Sequence, residues 1–326
     1  MSPAAKLYGG VDLGGTKIQA VVLGARNKVI GEVREETPTD GGPPAVAAAI
    51  ADELRKAAAA GGVETSTLAA VGVGSPGAVD KQTGAVTQVA NIRGWEGTYP
   101  LAAELSKLVG APVTVGNDVS VATQAEFELG AGKPYTSLLG VFWGTGVGGG
   151  LILDGKPWVG RGASGEIGHT VVKIGGRTCG CGRQGCLEAY AGRGSMEAKA
   201  RRLVDEGKRT VLFEIMEKRG RPRLTSGVWE RALERDDKVA THLIDQAVEA
   251  LGAGIASALN LLDVEAVIVG GGLGTRLGEP YVERIREAMM PHLFADDRPP
   301  PIEVAALGDL GGAIGAAVLA KEKGKR

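Results

Sequence analysis

The feature that most restricts the fold of this chain is a pattern of strand, glycine-threonine turn and strand that occurs twice. Its first copy is Val-Asp-Leu-Gly-Gly-Thr-Lys at residues 11–17, and its second is Val-Phe-Trp-Gly-Thr-Gly-Val at residues 141–147. Apolar runs bounded by glycine, as in both copies, are typical of β-strands. Because a long-range repeat indicates a duplicated structural unit, the sequence predicts two related α/β domains that face each other.

Glycines at three strand ends indicate a phosphate site. Besides the two turns above, Gly-Gly-Gly at residues 270–272 follows an apolar strand. Backbone N–H groups with no side chain in the way bind phosphate oxygens well. A plain hairpin is the alternative for each turn; such a turn needs about two glycines, whereas residues 144–150 contain five. Together the three turns predict a site for nucleotide phosphates.

None of these turns matches the two commonest nucleotide-binding loops. A Walker loop would end in Gly-Lys-Ser/Thr, which is absent from all three. A dinucleotide-binding turn opens a helix, but the second turn runs into the apolar segment Leu-Ile-Leu at residues 151–153. We therefore expect a hairpin at the second turn.

Apolar spacing and helix stop signals predict the other elements. The predicted helices cover residues 44–61, 101–109, 119–129, 241–262 and 311–320, and the predicted strands include residues 29–37, 70–77, 113–118 and 302–305. Residues 193–235 are rich in charges of both signs. Mixed signs favour a solvated helical surface over a nucleic-acid face.

Composition narrows the possible partners. The chain has 326 residues, 23% of them charged, and a formal net charge of -1. Its length allows about two domains, and its charge indicates neither a nucleic-acid partner nor a membrane surface. No apolar run approaches the roughly 20 residues of a membrane span. Because the first strand pattern starts at Leu7, we expect no signal peptide and a reduced, cytoplasmic setting.

A cysteine cluster predicts a metal site. All three cysteines, Cys179, Cys181 and Cys186, lie within eight residues of each other, and His169 precedes them. Three thiolates and one imidazole form a full tetrahedral set for zinc. A disulfide with a spare thiol and plain buried thiols are the alternatives. The odd count and the absence of a secretory signal argue against the disulfide.

Two carboxylates, Glu166 and Glu188, bracket this cluster. A bound zinc would stiffen the loop that carries them. We therefore expect a structural zinc whose loop presents polar side chains to a ligand.

These motifs together resemble the ROK family (repressors, open reading frames and kinases), sugar kinases of the actin-like ATPase superfamily, and most of all its bacterial glucokinases. The resemblance extends from Val11 to about Leu319. Residues 12–17 resemble the first phosphate motif, residues 144–150 the second, and residues 269–272 the adenosine motif. Glu-Ile-Gly-His at 166–169 and the segment 179–188 resemble the family signature.

The resemblance implies an α/β protein with the actin-like ATPase (ribonuclease H-like) fold, in which two α/β domains surround a cleft for sugar and ATP. In the family, the terminal helix returns to the N-terminal domain. The expected domains are therefore 1–117 plus about 305–326, and 118–304 with the zinc loop and a helical segment.

The resemblance also implies roles for individual residues. Asp118 is the expected general base, which takes the proton of the attacking sugar hydroxyl. The expected sugar-binding residues are Asn91, Asn117, Asp118, Glu166, His169 and Glu188. Simpler roles are a helix N-cap for the Asn-Asp pair, a turn asparagine for Asn91 and a core histidine for His169.

The expected nucleotide site uses the three glycine turns. Its residues are Asp12, Gly14, Gly15, Thr16, Lys17, Gly144, Thr145, Gly146, Gly148, Gly270, Gly271 and Gly272. Asp12 is expected to orient the Mg²⁺ that accompanies ATP, directly or through water. Lys17 either neutralises phosphate or is a solvated surface lysine, and the two threonines either donate to phosphate or only favour strand.

The expected reaction is ATP-dependent phosphorylation of a hexose at its 6-hydroxyl, with glucose as substrate and glucose 6-phosphate as product. The alternatives are N-acetylmannosamine, N-acetylglucosamine, allose or fructose as the sugar, and polyphosphate as the donor. Another class is a sugar-responsive repressor, but the ten or so residues before the first phosphate motif hold no DNA-binding module. The family implies a homodimer or homotetramer, with no nucleic-acid or membrane partner.

Overall fold

The computed structural model describes residues 6–89 and 92–323, which form two compact units. The first takes in the chain up to Gly130, Gly160–Gly162 and the segment from Asp309, and the second consists of Ala131–Val159 and Ala163–Gly308. Asn91, an expected sugar contact, lies outside the described residues. None of the described helices is both long enough and apolar enough for a membrane crossing.

Both units contain strands and helices. The strands are β1 (Tyr8–Leu13), β2 (Lys17–Leu23), β3 (Val29–Glu36), β4 (Ala70–Ser75), β5 (Ala78–Val79), β6 (Val86–Thr87), β7 (Val113–Asn117), β8 (Leu138–Trp143), β9 (Val147–Leu153), β10 (Lys156–Trp158), β11 (Ala266–Gly270) and β12 (Ile302–Val304). The helices are α1 (Gly42–Ala60), α2 (Leu101–Val109), α3 (Asp118–Leu129), α4 (Glu188–Ala191), α5 (Arg193–Asp205), α6 (Leu212–Lys218), α7 (Ser226–Leu233), α8 (Lys238–Leu262), α9 (Gly271–Met289) and α10 (Gly311–Lys323).

The first unit is a five-stranded sheet with helices on both faces. Its strand order is β3-β2-β1-β4-β7, with the first three strands antiparallel and the last two parallel to β1. Successive residues of a strand point to opposite faces. A Cβ on Gly9 would meet Leu54 of α1, whereas a Cβ on Gly10 would lie 2.0 Å from the carbonyl oxygen of Ala313 in α10. Glycine at position 10 therefore lets α10 lie directly on the sheet.

The second unit repeats this arrangement. Its sheet has the order β10-β9-β8-β11-β12, again with three antiparallel strands followed by two parallel ones. Helices α8 and α9 pack on each other, and the core around them includes the fully buried Trp143 and Trp229. The two sheets share one topology, so the duplication predicted from the repeated hairpin is confirmed.

The element boundaries differ from the predicted ones where a cap decides them. Helix α8 begins at Lys238 rather than near Thr241, because the Asp237 carboxylate accepts a hydrogen bond from the Ala240 N–H at 2.8 Å.

The domain boundary also differs from the predicted one, because the sequence predicts helix α3 in the second domain. In the structure it packs on α10 and β4 and lies in the first unit, whose first segment extends to Gly130 rather than to residue 117.

Candidate active site

The first glycine turn closes the β1–β2 hairpin in the first unit. The Gly14 N–H donates to the Lys17 carbonyl at 2.9 Å, and the Thr37 hydroxyl donates to the Gly14 carbonyl at 2.7 Å. The exposed Thr16 stands at the tip, and Lys17 Nζ lies 3.4 Å from Gln19 Oε1. These hydrogen bonds hold the turn at Gly14. The Gly15 N–H donates to no other described residue.

Asp12 stands just before this turn, against the start of α10. A Cβ on Gly312 would lie 2.7 Å from the carboxyl carbon of Asp12, so only glycine leaves room for this carboxylate. Burial raises the pKa of the Asp12 carboxyl; the Lys17 charge opposes that rise and Asp309 adds to it. A carboxylate that is costly to ionise in the free protein is suited to a divalent cation, which supplies the missing countercharge.

The β7–α3 junction lies at the same edge of the first sheet. Asn117 caps α3, because its Oδ1 accepts a hydrogen bond from the Ser120 N–H at 3.1 Å. Asp118 Oδ1 accepts from the Val119 N–H at 2.9 Å. The simple N-cap role thus belongs to Asn117, and it occupies an amide oxygen that was expected to contact sugar.

Strand register places Asp12 and Asp118 at one edge of this sheet. Asp12 pairs with Gly74 of β4, and Ser75 pairs with Asn117 of β7. All three strands are parallel, so their carboxyl ends coincide. At a strand spacing of about 4.8 Å, the two carboxylates belong to positions roughly 10 Å apart. In open α/β sheets, ligands bind at such carboxyl ends.

The second glycine turn closes the β8–β9 hairpin in the second unit. The Gly144 N–H donates to the Gly146 carbonyl at 2.9 Å, and Trp143 Nε1 donates to the Ala191 carbonyl at 2.7 Å. Glu188 Oε2 accepts from the Val147 N–H at 2.9 Å. A Cβ on Gly146 would lie 2.2 Å from that same oxygen, so glycine at position 146 permits the close approach of Glu188.

The predicted zinc ligands converge in the second unit. One ligand atom each from His169, Cys179, Cys181 and Cys186 lies within 4.8 Å of all the others. The three thiols are free, and the sulfurs of Cys181 and Cys186 are 3.8 Å apart. A disulfide would require about 2.05 Å, whereas tetrahedral zinc with bonds of about 2.3 Å separates its sulfurs by about 3.8 Å. The donor set therefore fits zinc.

Thiol acidity differs within this cluster. The backbone N–H of Arg183 helps to lower the pKa of Cys181 to about 6, whereas burial raises the pKa of Cys179 to about 12. Burial also raises the pKa of Cys186. Because a metal binds thiolates, its binding to these ligands would release protons.

The orientation of His169 links the cluster to Glu166. Its Nδ1 is 3.9 Å from Cys179 Sγ, and its Nε2 is 4.0 Å from the exposed carboxylate of Glu166. On the other side, Glu188 Oε1 is 3.9 Å from Cys179 Sγ. The cluster thus lies between two carboxylates, one of which also holds the second glycine turn.

The third glycine segment is a strand-to-helix junction. Helix α9 starts directly after β11, with Gly271 at a φ of 81° that favours glycine. A Cβ on Gly271 would lie 2.6 Å from the Trp143 carbonyl, so the junction packs against the end of β8. The second and third glycine segments are therefore neighbours within one unit.

One polar residue of this region was not recognised in the sequence. Arg193 falls in the charged stretch for which the sequence predicts a solvated surface, but it is half-buried against the second turn. Its Nη2 donates to the Thr145 hydroxyl at 2.8 Å, and its Nη1 donates to Ser226 Oγ at 2.9 Å. The sequence signal that could have indicated its role is its position shortly after Glu188, at the start of a helix.

Comparison with known proteins finds similar sequences over nearly the whole chain. The ROK family pattern matches residues 8–323. The glucokinase of Halalkalibacterium halodurans is 33% identical over 321 residues, which cover 97% of this chain and 95% of that protein. The N-acetyl-D-glucosamine kinase of Erwinia tasmaniensis is 33% identical over 324 residues, which cover 96% of this chain and 99% of that protein.

A solved structure extends the similarity to the fold. The crystal structure of a ROK family glucokinase from Streptomyces griseus, in complex with glucose and AMPPNP, has a TM-score of 0.82 at 32% identity. The alignment covers 97% of this chain and 99% of that one. The predicted fold class, that of the actin-like ATPases, is thereby confirmed. With its pattern matched over nearly the whole sequence, the chain belongs to the ROK family.

Proposed function

We propose that the sugar phosphorylated by this hexose kinase is glucose, with ATP as the donor and glucose 6-phosphate as the product. The orientation of His169 carries the proposal, because Nδ1 faces the thiols while Nε2 lies beside the Glu166 carboxylate. A ring nitrogen and a carboxylate side by side offer a donor and an acceptor to neighbouring sugar hydroxyls. The glucokinase relatives, similar over their full length, support glucose as the sugar.

Asp118 is the proposed general base. Its carboxylate takes the proton of the 6-hydroxyl as that oxygen forms a bond to the γ-phosphorus of ATP. The bond from phosphorus to the β,γ-bridging oxygen breaks, and ADP leaves with the electron pair. Position supports this role, because Asp118 starts a helix at the carboxyl edge of the first sheet.

Sugar recognition is assigned to the groups around the cysteine cluster and to the helix cap. Glu188 already accepts from the Val147 N–H, but a carboxylate has about four acceptor positions and can accept a sugar hydroxyl as well. The oxygen of Asn117 is used by its cap, so its amide nitrogen is the proposed donor. Asn91 remains a prediction from the sequence alone.

The glycine turns are the proposed phosphate site, with Mg²⁺ held beside Asp12. When bound, Mg²⁺ neutralises phosphate charge during transfer. Lys17 is close enough to Asp12 to affect the pKa of that carboxyl, which supports a role beside the phosphates. Zinc, held by His169 and the three cysteines, would serve as a structural ion that fixes the loop between Glu166 and Glu188.

A sugar panel tests the proposed substrate. Purified protein is supplied with ATP and Mg²⁺ and with glucose, N-acetylglucosamine, N-acetylmannosamine, allose or fructose, and the products are identified by mass. We expect the highest kcat/KM with glucose. A higher kcat/KM with N-acetylglucosamine would contradict glucose as the substrate but would still agree with a sugar kinase. The full-length similarity to an N-acetyl-D-glucosamine kinase makes that sugar the main alternative. No phosphorylated sugar at all would contradict both.

Two further arms test the donor and the assembly. Replacing ATP by polyphosphate is expected to abolish product formation, and equal rates would contradict the assignment of ATP as the donor.

Light scattering is expected to show a homodimer or homotetramer, as the family implies, and a monomer would contradict that expectation.

A further inference from the structure

We propose that Arg193 is the fixed cation of the nucleotide phosphate site, which orients the Thr145 hydroxyl and attracts the phosphates of ATP. The inference rests on the proposed function and adds a further binding residue to it. In this role, Arg193 recognises the nucleotide through its phosphates rather than through its adenosine. Three observations within the second unit support it.

The first observation is convergence on one side chain. The guanidinium donates to Thr145 at 2.8 Å and to Ser226 at 2.9 Å. A Cβ on Gly272 would lie 3.0 Å from the Ser226 hydroxyl and 3.8 Å from Arg193 Nη1. Arg193 therefore ties the second phosphate turn to Ser226 at the start of α7, whose hydroxyl lies close to Gly272 in the adenosine motif.

The second observation concerns the backbone of the same turn. The Arg193 N–H donates to the Gly144 carbonyl at 3.1 Å, and the Gly194 N–H donates to the Thr145 carbonyl at 3.0 Å. The carbonyls of the turn are thus held by the first turn of α5. By contrast, the N–H groups of Thr145 and Gly146 donate to no other described residue, so they remain available to an anion.

The third observation is the surrounding charge. Arg193 is the first residue of α5, its partner Ser226 is the first residue of α7, and Gly272, close to the Ser226 hydroxyl, lies at the start of α9. Helix starts carry partial positive charge, so they disfavour a cation. The acid that raises the pKa of Arg193, Glu197, is itself paired with Arg201 at 2.7 Å, and the described part of the chain contains no ion pair to Arg193.

A half-buried cation among positive helix ends, with no ion pair to any described residue, is a local conflict in the free protein. Burial lowers the pKa of this guanidinium, which expresses the same cost. Such conflicts are expected at functional sites. An anion that accepts from the guanidinium, from the Thr145 hydroxyl and from the free N–H groups would remove it, and the phosphates of ATP have that chemistry.

Binding measurements without sugar test the proposal directly. Calorimetry compares ADP with adenosine as ligands of the wild type, Arg193→Gln and Arg193→Lys. We expect Arg193→Gln to weaken ADP about tenfold or more, since a hydrogen bond to a charged group is removed, while adenosine affinity changes less than about twofold. Arg193→Lys keeps the charge but loses the fork of donors, so its ADP affinity should lie between the two.

Arg202→Gln is the matched control, because Arg202 is exposed on the same helix. It should bind ADP like the wild type. Thr145→Val is a second variant at an exposed position, where folding is not threatened. If Arg193 acts through Thr145, the double variant should bind ADP hardly worse than Arg193→Gln alone.

The outcomes separate this inference from the proposed function. Equal loss of ADP and adenosine affinity in Arg193→Gln would indicate a merely structural tie and overturn the inference, as would an unchanged ADP affinity. Failure of the wild-type protein to bind ADP would instead overturn the proposed function. In turnover, Arg193→Gln should raise the KM for ATP and leave the KM for glucose unchanged.

Discussion

The β1–β2 and β8–β9 hairpins occupy the same place in two sheets of identical topology, yet they obtain their charges differently. The first contains its own, with Asp12 before the turn and Lys17 after it. The second has no charged residue between Trp143 and Leu153. A cation from another element, Arg193 of α5, donates to Thr145 from 48 residues further along the chain.

This difference shows which parts of a duplicated scaffold are free to diverge. Strand order and glycine at the turns are common to both hairpins, because the backbone must bend in the same way. Charge differs: the first hairpin carries Asp12 and Lys17 itself, whereas α5 supplies Arg193 to the second. Under the proposed function, the first hairpin serves the metal and the second serves the phosphates.

The largest expected effect lies next to the first hairpin. If Asp118 is the general base, Asp118→Asn should lower kcat by about 10²–10⁴-fold, because an amide cannot take the proton. Glucose affinity should stay within about threefold, measured by calorimetry. Glu128→Gln, at the far end of the same helix, serves as the control. Near-normal turnover of Asp118→Asn would show that Asp118 is not the base.

Asp12→Asn tests the charge that the first hairpin contains. We expect turnover to fall by on the order of 10²-fold or more, since the carboxylate proposed to orient Mg²⁺ is lost. The same change should make the metal-free protein more stable. The folded pKa is raised, so the ionised carboxylate costs stability at pH values above that pKa; the cost shrinks as pH falls below the folded pKa and is gone below the ordinary value of 3.8.

Thermal unfolding in a chelator checks the second half of this prediction. Asp12→Asn should unfold at a higher temperature than the wild type at pH 7, with the gap closing at acid pH. A lower unfolding temperature at pH 7 would contradict the assignment of a carboxylate that is costly to ionise.

The sequence was most informative where local pattern decides the structure. Both hairpins, helix α2 at Leu101–Val109 and the convergence of His169 with the three cysteines agree with the structure because each depends on neighbouring residues. It was least informative where tertiary packing decides. The place of α3 in the first unit depends on α10, which is remote in sequence, and the burial of Arg193 depends on Thr145 and Ser226.

Cysteine substitution tests the metal beside the second hairpin. The wild type should contain one zinc per chain, and Cys181→Ser should lose most of it. Because zinc is proposed to fix the loop between Glu166 and Glu188, its loss should raise the KM for glucose by about tenfold, the lower end of the 10–100-fold loss of metal affinity or activity that is typical when partners of metal ligands are removed. Metal analysis of the purified proteins checks the first result, and full zinc content in the variant would contradict the ligand assignment.

A pair of glycine substitutions gives the smallest expected effect and the sharpest contrast. Gly146→Ala places a Cβ 2.2 Å from Glu188 Oε2, whereas a Cβ on Gly144 meets nothing nearer than 3.9 Å. Gly146→Ala should therefore displace Glu188 and raise the KM for glucose several-fold, by about the effect of one hydrogen bond. Gly144→Ala should change that KM little, and equal effects of the two would contradict the role of Glu188.

The most direct test of the proposed mechanism is a crystal structure of this protein with glucose and AMPPNP bound together. We expect the 6-hydroxyl of glucose within about 2.6–3.2 Å of the Asp118 carboxylate, with the triphosphate on the two glycine hairpins and next to Arg193. A 6-hydroxyl well beyond hydrogen-bonding reach of Asp118, or a triphosphate remote from both hairpins, would contradict the mechanism.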